Sequence, residues 1–187
     1  MTLARSPRTV EDMLANIRFD GAAADRADDA EEEVAGLRAR IRRVHETLKA
    51  AGAPRPRVAV IEAIDPPCAA GRWVPDQVKR AGGIDVLASI GAPSLAVSAG
   101  QVRAANPEIV LIAPCGASLA DAAATGRTLM THPEWAWLHK HRVWALDGST
   151  LTSRPGPRVV DGIEVMARIF NGALFTPLDD TRATRLA

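Results

Sequence analysis

The stretch RVAVIEAI (Arg57–Ile64), continuing as DPPCAAGRWVPDQVKRAGG (Asp65–Gly83), decides how this chain is read. Its first eight residues are rich in Val and Ile and read as a strand. A Pro/Gly loop, Asp65 to Arg72, follows, and Pro75 to Ala81 reads as a helix with proline in its first turn, closed by Gly82-Gly83. The same alternation recurs downstream. Ser98 to Ala105 is a short helix stopped by Asn106-Pro107, and Glu108 to Ala113 (EIVLIA) is a second strand ending in Pro114-Cys115-Gly116. Ser118 caps a helix reaching Met130, and Pro133 to Lys140 is a brief helix before a third strand, Arg142 to Leu146 (RVWAL). Asp147 to Pro155 is a loop, Pro157 to Phe170 a closing helix, and the residues from Pro177 read as a frayed tail. Strands alternating with helices predict an α/β fold, a parallel sheet with helices on both faces in three layers.

Upstream the texture differs. Thr9 to Phe19 is expected to be a helix, with Thr9 as N-cap, Asp12 in the place of the glutamate of a capping box, and Val10, Met13, Leu14 and Ile17 on one face. After a polar, Ala-rich link comes a long helix, Asp28 to Ala51, acidic in its first turns and basic later, in agreement with the helix dipole. Val34, Leu37, Ile41, Val44 and Leu48 form a narrow apolar stripe, which suits a helix resting on a surface or bridging two bodies.

With 187 residues the chain is long enough for one domain with an appendage, and 47% hydrophobic against 24% charged residues is an ordinary globular balance. The formal charge of +1 gives no general reason to expect nucleic acid or an anionic membrane as partner. Cys68 and Cys115 make no disulfide framework and no zinc pattern, and His139 and His141 are wrongly spaced for a shared helix face, so no metal site is expected. No stretch approaches a membrane span, and Met1 to Asp20 lacks the apolar run of a secretory signal, so the chain as encoded is expected in the cytosol.

The loops after the three strands, Asp65 to Arg72, Pro114 to Ala117 and Asp147 to Pro155, should converge on the carboxyl edge of the sheet, where open α/β sheets bind ligands. They bring Pro66, Pro67, Cys68, Arg72, Trp73, Cys115, Gly116, Ser153, Arg154 and Pro155 to one rim. Trp73 enters a helix from a loop and is read as a ligand-stacking residue, while Trp135, Trp137 and Trp144 are read as packing residues. Gly126-Arg127-Thr128 fails as a phosphate-binding loop in spacing and in context, and no Rossmann glycine pattern follows Arg57–Ile64. A strand leading through Cys115 into a helix has the outline of a nucleophile elbow, although Ala113 and Ala117 stand where glycines are usual.

The run Asp65-Pro66-Pro67-Cys68-Ala69-Ala70-Gly71-Arg72-Trp73-Val74-Pro75, with Ala81-Gly82-Gly83 after it, resembles the D-P-P-F-x-x-G-H-W-V-P segment of substrate-binding proteins of cobalamin and ferric-siderophore ABC importers. Val102 to Gly116, His132 to Asp147, Ser153 to Arg158 and Ser6 to Gly21 are similar to further segments of that family, in the same order. The resemblance implies a periplasmic or cell-surface binder, without catalysis, whose ligand (cobalamin, a related corrinoid or an iron-siderophore) is cargo rather than a cofactor. It implies a remnant of an N-terminal lobe at 1–21, that lobe being mostly missing, a long lobe-joining helix at 22–52, a C-terminal ligand-binding lobe at 53–172 and a tail at 173–187. Pro66, Pro67, Trp73 and the Arg154-Pro155 turn then face the cleft. Cys68 and Arg72 depart from the family's Phe and His, and Ala99-Gly100-Gln101 stands where a glutamate usually docks on the permease. An ABC permease is the implied partner, and an exposed half-cleft could pair two copies as a homodimer. A cysteine-dependent α/β enzyme using Cys115 and a degenerate lobe acting as an interaction module are the alternatives.

Overall fold

In the computed structural model, residues 6–178 and 181–187 are described, and the strand read from Arg57–Ile64 is the axis of the sheet. Strand β1 (Arg57–Ile64) pairs in parallel with β5 (Ile109–Ile112), which pairs in parallel with β6 (Arg142–Leu146). Val58, Ala59, Val60 and Ile61, and all four residues of β5, are at most 1% exposed, so both faces of these strands are covered. On one face, Val58, Val60, Ile109, Leu111 and Leu146 meet helices α3 (Val74–Arg80) and α7 (Val159–Phe170). On the other, Ala59, Ile61, Val110, Ile112 and Val143 meet α4 (Ala99–Ala104), α5 (Leu119–Thr131) and a 3-10 helix, Pro133–Lys140. This is the expected three-layer α/β lobe.

The edges are where the structure departs from the sequence reading. The sheet is mixed, in the order β4 (Leu95–Ala96), β2 (Pro67–Ala69), β1, β5, β6, β7 (Ala183–Arg185), with β3 (Ile84–Asp85) also pairing with β1. The segment read as a loop after β1 turns back at once as β2 (Pro67–Ala69), antiparallel to β1 and covered by the short edge strand β4 (Leu95–Ala96). The tail is not frayed: β7 (Ala183–Arg185) runs antiparallel to β6, with Trp144 opposite Arg185 and Leu146 opposite Ala183. Ala183 is wholly buried, and Arg182 pairs with Asp161 of α7 at 3.0 Å. A strand of three residues has no periodicity of its own, and only its partner β6 fixes it.

The two upstream helices form a hairpin. Thr9 and Asp12 build the expected capping box of α1 (Val10–Ala23). The backbone N–H groups of Arg8 and Thr9 donate to Asp12, the first having the larger effect, and hold it below its usual range. Helix α2 (Ala27–Ala50) returns antiparallel, because Arg18 bonds Glu31 at 2.6 Å near the turn while Arg38 bonds Glu11 at the far end. The stripe Val34, Leu37, Ile41 and Val44 is buried in the same cluster as the sheet, with Arg40 fixing α2 to α7 through Asp161 (2.6 Å) and Glu164 (2.8 Å). Helix α1 belongs to this body too: Met13 and Leu14 are 1% exposed in that cluster, and the Val10 N–H donates to buried Asp76 of α3 at 3.0 Å. Among the described residues of the expected remnant at 1–21, the apolar face of α1 is part of this core.

Asp85, at the end of β3, accepts hydrogen bonds from Leu87 and Ala88 N–H, both 2.9 Å, while its Oδ2 is buried without a partner. Burial is the larger influence and pushes its carboxyl up to about 6 from 3.8. The folded chain therefore holds this proton more tightly than the unfolded one. The resulting stability is complete below the unfolded value and is lost as pH rises through the folded one. Asp85→Asn keeps the acceptor oxygen and removes the titration. Urea unfolding is expected to show the variant gaining roughly 3 kcal/mol on the wild type between about pH 4 and pH 7; parallel stability curves would count against it.

Candidate functional site

The carboxyl ends of β1, β5 and β6 lie at one edge of the sheet, and the loops leaving them are bound to one another. Cys115 N–H donates to Glu62 O at 3.0 Å, so the loop after β5 lies against the end of β1. Gly116 N–H donates to Ser153 Oγ at 2.9 Å, and Ser149 N–H to Ala117 O at 2.9 Å, joining that loop to the one after β6. The latter contains a short helix, α6 (Gly148–Leu151), capped by Asp147. These loops approach so closely that a Cβ on Gly148 would stand 2.1 Å from Pro114 O, leaving no room for a side chain. Gly116 has φ +74°, a left-handed conformation that favours glycine.

Beneath this edge, two side chains of α3 hold the loop after β6. Trp73 and Gln77, four apart and thus on one side of the helix, reach the same segment. The Trp73 indole N–H donates to Thr152 O at 2.9 Å, and the wholly buried Gln77 amide donates to Leu151 O and Val159 O, both at 2.9 Å. Trp73 is 8% exposed, so its ring is not an open stacking face as the sequence reading expected. Its position is explained by the carbonyl it satisfies: an unpaired buried polar group costs about 1–3 kcal/mol. Gln77 escaped the sequence reading. Its signal was its place one turn after Trp73, on a helix whose polar residues would otherwise face solvent.

The structure brings together Cys115, Gly116 and Ser153, with Arg154 and Pro155 following directly and exposed. Pro66 is exposed at the end of β1, and Pro67 and Cys68 are half-buried in β2, opposite Ile64 and Ala63. β2 and β5 flank β1, so Pro67 and Cys115 lie on opposite sides of its carboxyl end. Arg72 stands at another corner. Its backbone is left-handed (φ 53°), its N–H and carbonyl bond Ala92 O (2.5 Å) and Gly91 N–H (2.8 Å), and its guanidinium donates to Ser6 Oγ at 2.6 Å. Arg154 and Arg158, both exposed, form no ion pair among the described residues, whereas Asp161 and Glu164 further along α7 are paired with Arg40.

The histidines of the chain lie elsewhere. His45 is on α2, and His132, His139 and His141 surround the 3-10 helix, where His141 meets Trp137 edge-on at the amino end of β6. Cys115 is exposed and free, yet no imidazole adjoins it to act as a base, and the Cys115 and Gly116 N–H groups are already bonded within the scaffold. Among the described residues no cluster of His, Cys, Asp and Glu has the arrangement of a metal site. The rim offers prolines, a thiol, a hydroxyl and guanidinium groups that form no ion pair among the described residues, on a fixed backbone: groups suited to holding a ligand.

No protein-family model and no curated protein sequence matches the chain. Solved structures do. An ABC transporter substrate-binding protein from Listeria monocytogenes is 21% identical with a TM-score of 0.77, over 88% of this chain and 66% of that one. A periplasmic heme-binding protein from Pseudomonas aeruginosa is 23% identical (TM-score 0.75), over 96% and 66%. A periplasmic vitamin B12-binding protein from Vibrio cholerae is 20% identical (TM-score 0.66), over 90% and 64%. The chain thus has the fold of periplasmic binding proteins and spans just under two thirds of the length of these neighbours.

Proposed function

We propose that this chain is the ligand-binding lobe of a substrate-binding component of an ABC importer, and that its cargo is a corrinoid or an iron-chelate of the same size class. The observation that supports this most is the tied rim. Three loops are cross-bonded at the carboxyl edge of a fold shared with substrate-, heme- and B12-binding proteins, and exposed Pro66, Cys115, Arg154 and Pro155 stand on it. Fixed loops lower the ordering entropy lost on binding. Prolines offer apolar surface to a wide macrocycle, and Arg154 and Arg158 offer charged donors to its polar periphery or to carboxylate groups.

Capture rather than turnover fits this rim, since no imidazole adjoins Cys115. In a two-lobed binder the opposite wall of the cleft comes from another lobe, so this wall alone is expected to bind weakly. Transport would require docking on a permease, and a periplasmic or cell-surface location goes with that reading. The Ala99-Gly100-Gln101 turn, with Ser98 and Gln101 locked in a capping box, offers no acidic side chain for such a contact.

Trp73 lies directly beneath the rim and serves as a reporter. Titration with cyanocobalamin, hemin and ferrioxamine B, corrected for ligand absorbance, is expected to give saturable tryptophan quenching by one of them, with Kd in the micromolar range or weaker. Arg154→Ala is expected to weaken that binding about tenfold with little change in thermal stability, because the side chain is exposed. No saturable quenching by any of the three, or an unchanged affinity in the variant, would remove the support for this assignment.

A further inference from the structure

A groove lies at the opposite end of the lobe from the rim, beside the amino ends of β1 and β3. It has a volume of about 630 Å³ and is formed between the C-terminal half of α2, α3 and the link from Gly52 to Arg55. This falls within the roughly 300–1,000 Å³ of small-molecule sites. Ile41, Leu48 and Pro54 contribute apolar surface. Around them stand Arg42, His45, Lys49, Arg55, Lys79 and Arg80, against a single carboxylate, Asp76.

That carboxylate is already engaged. One oxygen of Asp76 accepts the Val10 N–H at 3.0 Å and the other accepts Arg80 Nε at 3.1 Å. Arg42, Lys49 and Lys79 form no ion pair among the described residues, and Arg55 donates only to a neutral carbonyl, Gly83 O, at 3.0 Å. The contrast within the hairpin is informative. Arg18, Arg26, Arg38 and Arg40 each reach a carboxylate of this chain, whereas Arg42 and Lys49 on the groove side of α2 do not. Cations crowded around apolar surface repel one another, and an anion between them relieves that repulsion.

We propose that this groove binds a small amphipathic anion: an apolar chain or ring laid on Ile41, Leu48 and Pro54, carrying a carboxylate or phosphate that meets Arg42, Lys49 and Lys79. The apolar part supplies burial and the charged end supplies orientation, so neither an alcohol of the same length nor inorganic phosphate alone is a full ligand. The groove and the carboxyl-edge rim share no residue, so this proposal stands or falls separately from the transport reading.

Isothermal titration with sodium decanoate as probe tests it, with decanol and inorganic phosphate as controls. Decanoate is expected to bind at one site with Kd in the range of about 10–100 μM, and each control at least about tenfold more weakly. The double substitution Arg42→Glu and Lys49→Glu is expected to weaken decanoate about tenfold or more. Lys79→Gln, a milder change, should weaken it in the same direction, so the result does not depend on one variant folding. Equal affinity in wild type and both variants, or no binding at about 1 mM decanoate, overturns the proposal. So does attachment to phosphatidylglycerol vesicles without decanoate binding, which would make the basic face a membrane contact instead.

Discussion

Two hydrogen-bonding side chains beneath the sheet edge hold the carboxyl-edge rim in place. Trp73 and Gln77 donate to three carbonyls, those of Thr152, Leu151 and Val159, where the chain passes from α6 into α7. Buried carbonyls need partners, and here α3 supplies them from one side. The loop after β6 is thereby fixed, Ser153 is placed to receive the Gly116 N–H, and the loop after β5 is fixed in turn against Glu62. The rim is thus built outward from the buried face of a seven-residue helix.

The packing of α2 extends the same logic to the rest of the chain. Burial of its narrow apolar stripe holds this helix of 24 residues to the lobe, as packing of one face does for most helices. Ion pairs complete the attachment: Arg40 to Asp161 and Glu164 on α7, and Arg18 to Glu31 within the hairpin. Exposed pairs of this kind contribute little individually, and the half-buried Arg40 triad is the strongest of them by geometry. The carboxylates of Asp161 and Glu164 offset the charge of Arg40, while the cations further along α2 have no such partner among the described residues. One helix therefore carries a neutralised middle and a basic end, and the groove at that end differs in kind from the proline-lined rim at the other pole of the lobe.

What was legible in the sequence followed from local rules. Arg57–Ile64 and Arg142–Leu146 appear as read, residue for residue, because buried parallel strands are continuous apolar runs. The Thr9-Asp12 and Ser98-Gln101 caps are likewise local chemistry, though only the first was anticipated. Elements that depend on a distant partner were not legible: β2 needs β1 and β4, and β7 needs β6, so they read as loop and tail. Trp73 shows the same limit at the site. Its position before a helix marked it as special, but the carbonyl that occupies it lies 79 residues away. The convergence of Cys115, Gly116 and Ser153 followed from topology alone, since parallel strands deliver their carboxyl ends to one edge.

In the proposed reading, the carboxyl-edge rim, braced from below by α3, is the surface that meets a ligand. Residue-resolved ¹H–¹⁵N spectra recorded during addition of diamagnetic cyanocobalamin address it most directly. Shifts are expected to concentrate at the amides of Cys68, Cys115, Gly116, Ser153 and Arg154 and at the Trp73 indole, with Gly52, Ala53 and Arg55 unmoved. Shifts centred on the basic groove, or spread evenly with no focus at the rim, would contradict it.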